Sequence, residues 1–281
     1  MDTAKIEIDQ WDRGRMEVNR RFGGALEGGG LTTFDAVFNL AGGKIVRSVG
    51  SRSTVRVQMN SAGIDQAFYL KRHAPPSLVE RARPVMHLSR PIVGARNEWE
   101  AILRFHAAGI PTMVPVAFGE SEGRSFVMTE DLGSDRTLLD WVNETANGRP
   151  SRAKAGASDA ARLKRALLAQ VAQIARRMHA AGLFHQDFYL NHMLCCGDPR
   201  RLDVRVIDLG RVRQRRGRAT RWMTKDLAQL DYSARRLSCT DRLRFLRLYL
   251  GRPFQPADRW VVRWIAVKSA WIASHTAKNG L

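Results

Sequence analysis

Two aspartates lie 21 residues apart in a stretch whose residue types suit phosphoryl transfer. Asp187 lies in a polar turn after an amphipathic helix, and Asp208 follows an alternating run at residues 204–207 and precedes Gly210. Phosphoryl transfer needs an oriented hydroxyl and neutralised phosphate charge more than covalent help. Asp187 could accept the hydroxyl proton, and Asp208 could hold Mg²⁺, which prefers carboxylate oxygens. Ordinary loop aspartates are the plainer interpretation, so further residues must support this chemistry.

Lys71 is an upstream residue that could join them. It closes an apolar run at residues 67–73, whose pattern is that of a buried strand. A lysine at the end of such a strand could reach the α and β phosphates of a nucleotide. A solvated strand end is the commoner role of such a lysine, and Arg72 is a competing cation.

A glutamate partner for this lysine is available in the next helix. Apolar residues recur at steps of three and four through residues 95–108, which predicts a helix. Glu98 shares the inward face of that helix with Ile102 and Phe105, whereas Glu100 points roughly the opposite way. Glu98 is therefore the predicted partner, although acids also favour helix N-termini in general.

Two alternating segments, at residues 44–48 and 54–59, predict a β-hairpin ahead of this strand. The turn between them holds a single glycine and is far poorer in glycine than the usual phosphate-binding loop. If this turn covers phosphates, backbone N–H groups and Ser51 or Arg52 must bind them. An ordinary hairpin tip fits the sequence about as well.

The chain has 281 residues and a hydrophobic content of 44%, enough for one domain or two compact lobes. Cys195, Cys196 and Cys239 are too few and too irregularly spaced for a disulfide framework or a zinc site, so a reducing compartment is expected. The first thirty residues lack the apolar core of a secretory signal, and no run of eighteen uncharged apolar residues occurs. We therefore expect no spanning helix.

Charge separates this chain from an average globular protein. Lysine and arginine number 46 against 27 acids, a net charge of +19, and most of the excess is arginine. Such a surface attracts polyanions, which could be nucleic acid, anionic lipid headgroups, an acidic protein or a phosphorylated glycan. After Asp208 we expect a basic segment to dock an anionic acceptor, a solvated loop being the alternative. Its arginines are Arg211, Arg213, Arg215, Arg216, Arg218 and Arg221.

The remaining pattern divides the chain into a short extension and two larger parts. Residues 1–30 are polar and contain a glycine run, and we interpret them as a partly ordered N-terminal extension. Strands and one helix fill residues 31–132, and helices dominate residues 133–281. Residues 75–92 suggest an insertion or short helix, and residues 147–158 an exposed linker.

The last predicted helix combines aromatic and basic residues. Tryptophans at 260, 264 and 271 alternate there with Arg263 and Lys268. Aromatics beside cations suit a bilayer interface. A buried helix of the larger part is the more frequent explanation of such a pattern, and we prefer it here.

Five short motifs occur in order along the chain. They are Phe-Tyr-Leu-Lys-Arg-His at 68–73, Asn-Glu-Trp-Glu-Ala at 97–101, Met-Thr-Glu-Asp-Leu at 128–132, His-Gln-Asp-Phe-Tyr at 185–189 and Val-Ile-Asp-Leu-Gly-Arg at 206–211. As an ordered set they resemble the lipopolysaccharide kinase family, and within it the enzymes that phosphorylate the first heptose of the inner core. The resemblance covers roughly residues 34–250.

That resemblance implies an α+β, bilobal protein-kinase-like fold, with a small antiparallel β lobe that carries one helix and a larger, mainly helical lobe. It implies ATP and Mg²⁺ as cofactors and a heptose hydroxyl on lipid A-core lipopolysaccharide as acceptor. The enzyme would work in a Gram-negative cytoplasm, peripherally at the inner membrane, whose anionic surface suits the basic chain. Acyl carrier protein is a further candidate partner, and nucleic acid is not expected.

The resemblance also assigns roles to the residues found above. Asp187 would be the catalytic base and Asp208 the Mg²⁺ ligand. Glu98 would position Lys71 against the phosphates. These four residues would have to converge on one triphosphate.

Two further assignments follow from position in the motifs. A hinge near residues 129–133 would bind adenine through backbone groups of Glu130 and Leu132. The kinase pattern places asparagine five residues after the base, where this chain has His192, preceded by Asn191. Either His192 takes a metal-side or structural role or Asn191 takes the asparagine's place. Because imidazole is a poor Mg²⁺ ligand, we expect one strongly held Mg²⁺.

Other functions compete with this one. A kinase that acts on proteins or on another small alcohol or sugar would share the same motifs. A catalytically inactive kinase-like scaffold that binds anionic lipid or an acidic protein would keep the fold and the charge. A nucleic-acid-binding module would explain the charge, but no helix-turn-helix or zinc pattern supports it.

Overall fold

The computed structural model describes residues 6–61, 64–75, 94–146, 157–198, 201–217 and 219–278. These residues form two compact units. The first runs to Leu132 without Ala108–Thr112, and the second joins Ala108–Thr112 to the chain from Gly133 onward. Nearly all of the insertion predicted at 75–92 and of the linker predicted at 147–158 lies outside the described residues.

The first unit is built on a seven-stranded antiparallel sheet. Its strands are β1 (Ile8–Trp11), β2 (Met16–Asn19), β3 (Lys44–Val49), β4 (Arg52–Ser61), β5 (Ile64–His73), β6 (Pro115–Ser121) and β7 (Arg124–Glu130). They lie in the order β1-β2-β6-β7-β5-β4-β3. Among the described residues of this unit, three helices accompany the sheet, α1 (Gly23–Gly28), α2 (Phe34–Phe38) and α3 (Arg96–Ala107). The small antiparallel β lobe is as expected, and its described part contains two short helices in addition to the one predicted.

Strand alternation sets which side of this sheet is buried. Val55 of β4 faces Leu70 of β5, and Val57 faces Phe68, with all four side chains buried. Residues between them on each strand point to the other face, as the period of two requires. This register fixes Lys71, the residue after Leu70, on the face opposite the core.

Residues 8–38 are ordered parts of this unit, which differs from the extension predicted for residues 1–30. β2 pairs with β6, with Met16 opposite Gly119. Met16, Val18 and Phe22 are buried with the side chains of β4, β5 and β7 in one apolar cluster. The glycines and mixed charges misled the sequence interpretation because the pairing that orders the segment is about a hundred residues away in the chain.

The second unit is mainly helical. Its helices are α4 (Leu138–Ala146), α5 (Ala157–Ala180), α6 (Thr220–Ser233), α7 (Cys239–Leu250) and α8 (Arg259–Lys278). Two small two-stranded antiparallel sheets lie between α5 and α6. β9 (Met193–Asp198) and β10 (Arg201–Val206) form a hairpin, and β8 (Leu183–Phe184) pairs with β11 (Arg213–Gln214). The alternating run before Asp208 thus belongs to β10, the second strand of that hairpin.

Helix α5 is the amphipathic helix expected before Asp187, and it presents an apolar stripe to the interior. Leu167, Val171, Ile174 and Met178 are all buried, as their spacing of three and four residues requires. On the same helix, Gln170 donates to the carbonyl of Leu202 and accepts from the N–H of Val204, both at 2.8–2.9 Å. This side chain ties the β9–β10 hairpin to the helix.

Helices α4 to α8 enclose an apolar cavity of about 140 Å³. Its walls include Trp141, Leu168, Leu230, Phe245 and Ile265. Almost all of this lining is hydrocarbon, so an apolar molecule suits the cavity better than water does.

The three tryptophans of α8 are exposed, which corrects the preference for a buried helix. Trp260, Trp264 and Trp271 keep 45%, 54% and 67% of their surface in contact with solvent, whereas Val261 and Ser269 on the other side are buried. None of the helices in the described ranges is long and apolar enough to cross a membrane.

Gly182 ends α5 and provides a test of the turn that precedes Asp187. Its φ is +69°, and an added Cβ would lie 2.4 Å from the carbonyl oxygen of Arg215. We expect Gly182→Ala to lower the free energy of unfolding by about 1–2 kcal/mol for the left-handed backbone, plus about 1–3 kcal/mol for the forced shift of β11. Chemical denaturation followed by circular dichroism measures both contributions.

Gly133→Ala is the matched control, because Gly133 has φ +67° and open space where its Cβ would be. It should show the backbone contribution alone. Equal losses in the two variants would mean that the approach to Arg215 has no cost.

Candidate active site

Lys71 and Glu98 form an ion pair in the first unit. The Lys71 Nζ lies 2.6 Å from Glu98 Oε1, and the Glu98 side chain is 6% exposed. Glu98 shares a buried helix face with Ile102 and Phe105, as predicted. Glu100 instead pairs with Arg104 on the outer surface. Of the two glutamates, the structure therefore brings the predicted one to the lysine.

Arg72, the competing cation, points elsewhere. One guanidinium nitrogen donates to the carbonyl of Leu40, and its Nε is buried with no hydrogen-bond partner among the described residues. Burial lowers the pKa of Arg72. Burial, with repulsion from Arg52 and Lys71, also lowers the pKa of the neighbouring His73 to about 4, so His73 is neutral near pH 7. Lys71 is thus the cation held in place by a carboxylate.

The predicted phosphate-covering turn is a tight two-residue hairpin. Val49 pairs with Arg52, which leaves Gly50 and Ser51 as the turn. Gly50 has φ +56°, the left-handed conformation that such hairpin turns use. The carbonyl of Ser51 accepts the N–H of Ala74 at 2.8 Å. The turn is short and anchored, unlike a long glycine-rich loop.

Glu130 ends β7, and Leu132 lies two residues beyond it. The Glu130 carboxylate accepts a hydrogen bond from Gln66 at 2.8 Å, and the Glu130 backbone N–H donates to the carbonyl of Val114. The next residue, Asp131, pairs with Arg56 at 2.6 Å, and its N–H donates to the carbonyl of Ala67. The N–H of Leu132 makes no hydrogen bond with any described residue.

In the second unit, the carboxylate of Asp226 holds the loop that carries Asp187. Asp226 lies in α6 and is fully buried. Its two oxygens accept the backbone N–H groups of His185 and Gln186, each at 2.8 Å. His179 of α5 lies 3.3 Å from the same carboxylate. A buried charge is stable only when it is fully hydrogen-bonded, so this arrangement fixes the loop backbone.

Two residues of this region have left-handed backbones although neither is glycine. Gln186 has φ +73° and Asp208 has φ +59°. Such conformations cost about 1–3 kcal/mol each and persist only where the surroundings impose them. The Gln186 backbone is held on both sides: its N–H donates to the Asp226 carboxylate, and its carbonyl accepts from the Gln229 side-chain amide at 2.7 Å. Strain held by buried partners is typical of functional loops.

Two histidines connect Asp187 to Asp208. His192 Nδ1 lies 2.7 Å from the carbonyl of Asp187, and a carbonyl can only accept, so Nδ1 carries the proton. His192 Nε2 then faces Asp208 Oδ2 at 3.9 Å. By the same reasoning His185 Nε2 donates to Ile207 at 3.1 Å, and burial lowers the pKa of His185.

The two predicted metal-side residues differ in their surroundings. His192 faces Asp208, whereas the side chain of Asn191 is exposed on the outer side of the turn. Across the described ranges no three His, Cys, Asp or Glu side chains form a metal cluster. A cation at Asp208 would need oxygens from its ligand or from water, which is how Mg²⁺ is usually bound beside phosphates.

Two basic residues lie near the Asp187 loop. Arg211 Nη1 is 3.2 Å from Asp187 Oδ2 and remains more than half exposed. Lys225 Nζ lies 3.2 Å from the side-chain amide oxygen of Gln186; burial lowers the pKa of Lys225, while Asp187 and Asp226 act in the opposite direction. Arg211 is thus the cation in direct contact with the Asp187 carboxylate.

The other predicted acceptor-binding arginines do not join this group. Arg213 lies in β11, opposite Phe184. Arg215 is exposed, with its guanidinium 5.6 Å from the ring centre of Trp222, and Arg221 lies 5.5 Å from the same ring. The basic segment after Asp208 is therefore divided between one arginine at the carboxylate and others beside an aromatic ring.

Sequence reasoning missed Asp226, Lys225 and Gln229. All three lie in α6, and their partners are about forty residues away in the chain. One signal was available: an aspartate among buried positions of an amphipathic helix must have a polar partner. It does not say which partner.

The antiparallel sheet with a lysine–glutamate pair, and the helical unit with two aspartates on an anchored loop, define a protein-kinase-like phosphotransferase. The family model of the lipopolysaccharide kinase (Kdo/WaaP) family matches residues 38–249. The chain belongs to this family.

Two curated relatives bear the same name, lipopolysaccharide core heptose(I) kinase WaaP. The Pseudomonas aeruginosa protein is 36% identical over 260 residues, 89% of this chain and 90% of the relative. The Escherichia coli K12 protein is 32% identical over 253 residues, 85% of this chain and 91% of the relative. A solved structure, WaaP in complex with acyl carrier protein, matches with a TM-score of 0.68 and 29% identity, and covers 94% of this chain and 98% of that one.

Removing the Asp226 carboxylate tests whether it holds the loop. Asp226→Ala would leave two buried N–H groups unpaired, so we expect the free energy of unfolding to fall by on the order of 3 kcal/mol. Urea denaturation measures the loss. Asp231→Ala, on the same helix but paired with Arg242 near the surface, should cost less than about 1 kcal/mol. Comparable losses would contradict the anchoring role.

Proposed function

We propose that this protein transfers the γ-phosphoryl group of ATP to a heptose hydroxyl of the lipopolysaccharide inner core. Family membership and the names of the relatives support the reaction and its acceptor. The observation that carries the proposal is the loop that Asp226 fixes through its backbone N–H groups. On this loop His192 contacts the Asp187 carbonyl, and its other ring nitrogen faces Asp208.

Asp187 is the proposed base. As the heptose oxygen forms its bond to phosphorus and the bond to the β-phosphate oxygen breaks, the hydroxyl proton passes to the Asp187 carboxylate. Arg211, 3.2 Å away, orients that carboxylate. His192 supports it from the backbone side through the Asp187 carbonyl.

Asp208 is the proposed Mg²⁺ ligand, with His192 beside it. The carboxylate is partly exposed, and His192 Nε2 faces it across 3.9 Å, so a carboxylate oxygen and a ring nitrogen lie side by side where a cation would bind. When bound, Mg²⁺ would neutralise phosphate charge. Because imidazole suits this ion poorly, Asp208 is the stronger ligand.

The first unit supplies the proposed nucleotide contacts. Lys71 contacts phosphates and Glu98, buried and 2.6 Å away, holds its ammonium in place. Ser51 lies in the turn that covers them. The hinge near residues 129–133 binds adenine, with the Leu132 N–H as the donor and the Glu130 backbone as its neighbour.

The proposed acceptor contacts are basic. Arg211 is the nearest to Asp187, and Arg213 and Arg215 follow in β11 and its extension. Arginine forks match the carboxylates and phosphates of a lipopolysaccharide core. Discrimination against a neutral alcohol or a protein hydroxyl follows from this charge.

We also propose two partners, an anionic inner-membrane surface and acyl carrier protein. A net charge of +19 favours both, and the acceptor is itself a membrane lipid. The structural neighbour is in complex with acyl carrier protein. The apolar cavity of the second unit, lined by Trp141, Leu168 and Phe245 among others, has the chemistry of an acyl-chain site. The enzyme would then act at the cytoplasmic face of the inner membrane.

Replacing the base tests the reaction. Asp187→Ala should lower phosphoryl transfer to purified lipid A-core by about 10²–10⁴-fold because the hydroxyl loses its proton acceptor. Nucleotide binding with Mg²⁺, measured by thermal shift, should remain. Transfer is followed with radiolabelled ATP, and a generic protein substrate should receive no label.

Asp203→Ala is the control for this variant, since Asp203 is an exposed carboxylate on the β9–β10 hairpin. Its transfer rate should equal that of the unaltered protein. Full turnover by Asp187→Ala would remove Asp187 from the mechanism. Label on the protein substrate alone would mean that the acceptor is a protein and not lipid A-core.

Exchanging the metal-side residues tests their assignment. His192→Asn places a hard amide oxygen where the imidazole faces Asp208, so the Mg²⁺ concentration for half-maximal transfer should fall several-fold. Asn191→Ala should leave the Mg²⁺ dependence unchanged because that side chain is exposed. The opposite pattern would give the metal-side position to Asn191.

A further inference from the structure

Helix α8 carries an exposed aromatic stripe that none of its neighbours covers. Trp260, Trp264, Val267 and Trp271 retain 45%, 54%, 59% and 67% of their surface. At about 100° per residue they lie within an arc of about 60°, along about 16 Å of helix. Soluble surfaces rarely leave large apolar side chains side by side in this way, so the stripe marks an interaction surface.

The other side of α8 is packed against the second unit. Val261 and Ser269 are buried, and α8 packs on α6, the helix that bears Asp226. Val262 and Ile265 line the apolar cavity. The stripe is thus held in a fixed orientation by packing on its opposite side.

Charge on α8 is of one sign. Arg259, Arg263, Lys268 and Lys278 are its ionised residues, and no acid occurs between Arg259 and Lys278. Arg263 borders the stripe on one side and Lys268 on the other, by helical spacing. Indoles flanked by cations are the composition of helices that lie in the headgroup region of anionic bilayers.

We propose that the tryptophan stripe of α8, formed by Trp260, Trp264, Val267 and Trp271, docks the protein on an anionic lipid bilayer. This rests on the membrane contact of the proposed function and names the surface that makes it. The stripe is straight and its indoles can bury their rings among acyl chains while their N–H groups reach headgroups. Arg259 and Arg263 then lie at headgroup level.

The other possible occupants fit less well. A second copy of this chain would bring together two faces that bear only cations, which repel each other. An acidic protein would satisfy the arginines, but its charged surface would leave the indoles against polar groups. Docking through α8 also brings α6, and with it the anchored loop of Asp187, to the surface that holds a lipid-linked acceptor.

Vesicle binding tests the surface without nucleotide or acceptor. The full chain is mixed with vesicles of phosphatidylcholine alone or of two parts phosphatidylcholine to one part phosphatidylglycerol, and bound protein is measured by flotation. We expect binding to the anionic vesicles and a blue shift of tryptophan emission, since three of the seven tryptophans lie on the stripe. A triple variant, W260A/W264A/W271A, should lose about tenfold or more of the binding and most of the shift.

Arg259→Gln with Arg263→Gln should reduce the preference for anionic over neutral vesicles while keeping the blue shift on bound protein. Since all these side chains are exposed, the thermal unfolding of each variant should match that of the unaltered chain.

The matched control removes three exposed apolar side chains elsewhere. Ile45, Val46 and Val49 of β3 are 67%, 53% and 60% exposed, comparable to the stripe. The variant I45A/V46A/V49A should bind vesicles like the unaltered protein. An equal loss in this control, or full binding by the triple tryptophan variant, would overturn the proposal.

Two other results would also overturn it. If the stripe variant binds vesicles normally but loses self-association in light scattering, a second copy is the occupant. If the stripe variant binds vesicles normally but no longer retains acyl carrier protein, the occupant of the stripe is an acidic protein. If the protein binds vesicles through the stripe but transfers no phosphate, the membrane-docking role of the stripe stands and only the kinase proposal is refuted.

Discussion

One buried carboxylate determines the shape of the catalytic loop. Asp226 has no contact with solvent and uses both oxygens to hold consecutive backbone N–H groups, those of His185 and Gln186. The backbone of Gln186 is left-handed, and Asp187 follows directly. Without these two bonds the chain would relax to an ordinary turn, and the direction of Asp187 would change. In the proposed reaction, the base would therefore be positioned by a residue that takes no part in the chemistry.

A buried carboxylate on a helix also orients a neighbouring group in the first unit. Glu98 is buried on α3 and its charge is compensated by Lys71, whose ammonium is partly exposed. In both units a desolvated acid on a helix fixes a functional group on a neighbouring strand or loop. Breaking such a pair is costly because the remaining charge stays buried. Orientation, more than net stabilisation, is what these contacts provide.

Local patterns allowed much of this to be predicted. The hairpin ahead of the Lys71 strand and the strand ahead of Asp208 follow from alternation, and Glu98 was separated from Glu100 by helical spacing. Contacts between distant parts of the chain were not predictable in this way. Met16 pairs with Gly119, and Asp226 meets a loop about forty residues earlier. Helical spacing placed the α8 tryptophans on one side, but it cannot tell which side the rest of the fold covers.

The N-terminal strands also affect how the protein can be shortened. The family model matches from residue 38, yet seven of the fifteen buried side chains in the described core cluster of the first unit precede that position. They are Met16, Val18, Phe22, Leu26, Leu31, Phe34 and Val37. A fragment cut where the family-model match begins would open β6 along its edge and would leave Phe126 without Phe34 and Phe68 without Phe22. An autonomous piece of this kinase therefore has to include β2, although the family model does not extend to it.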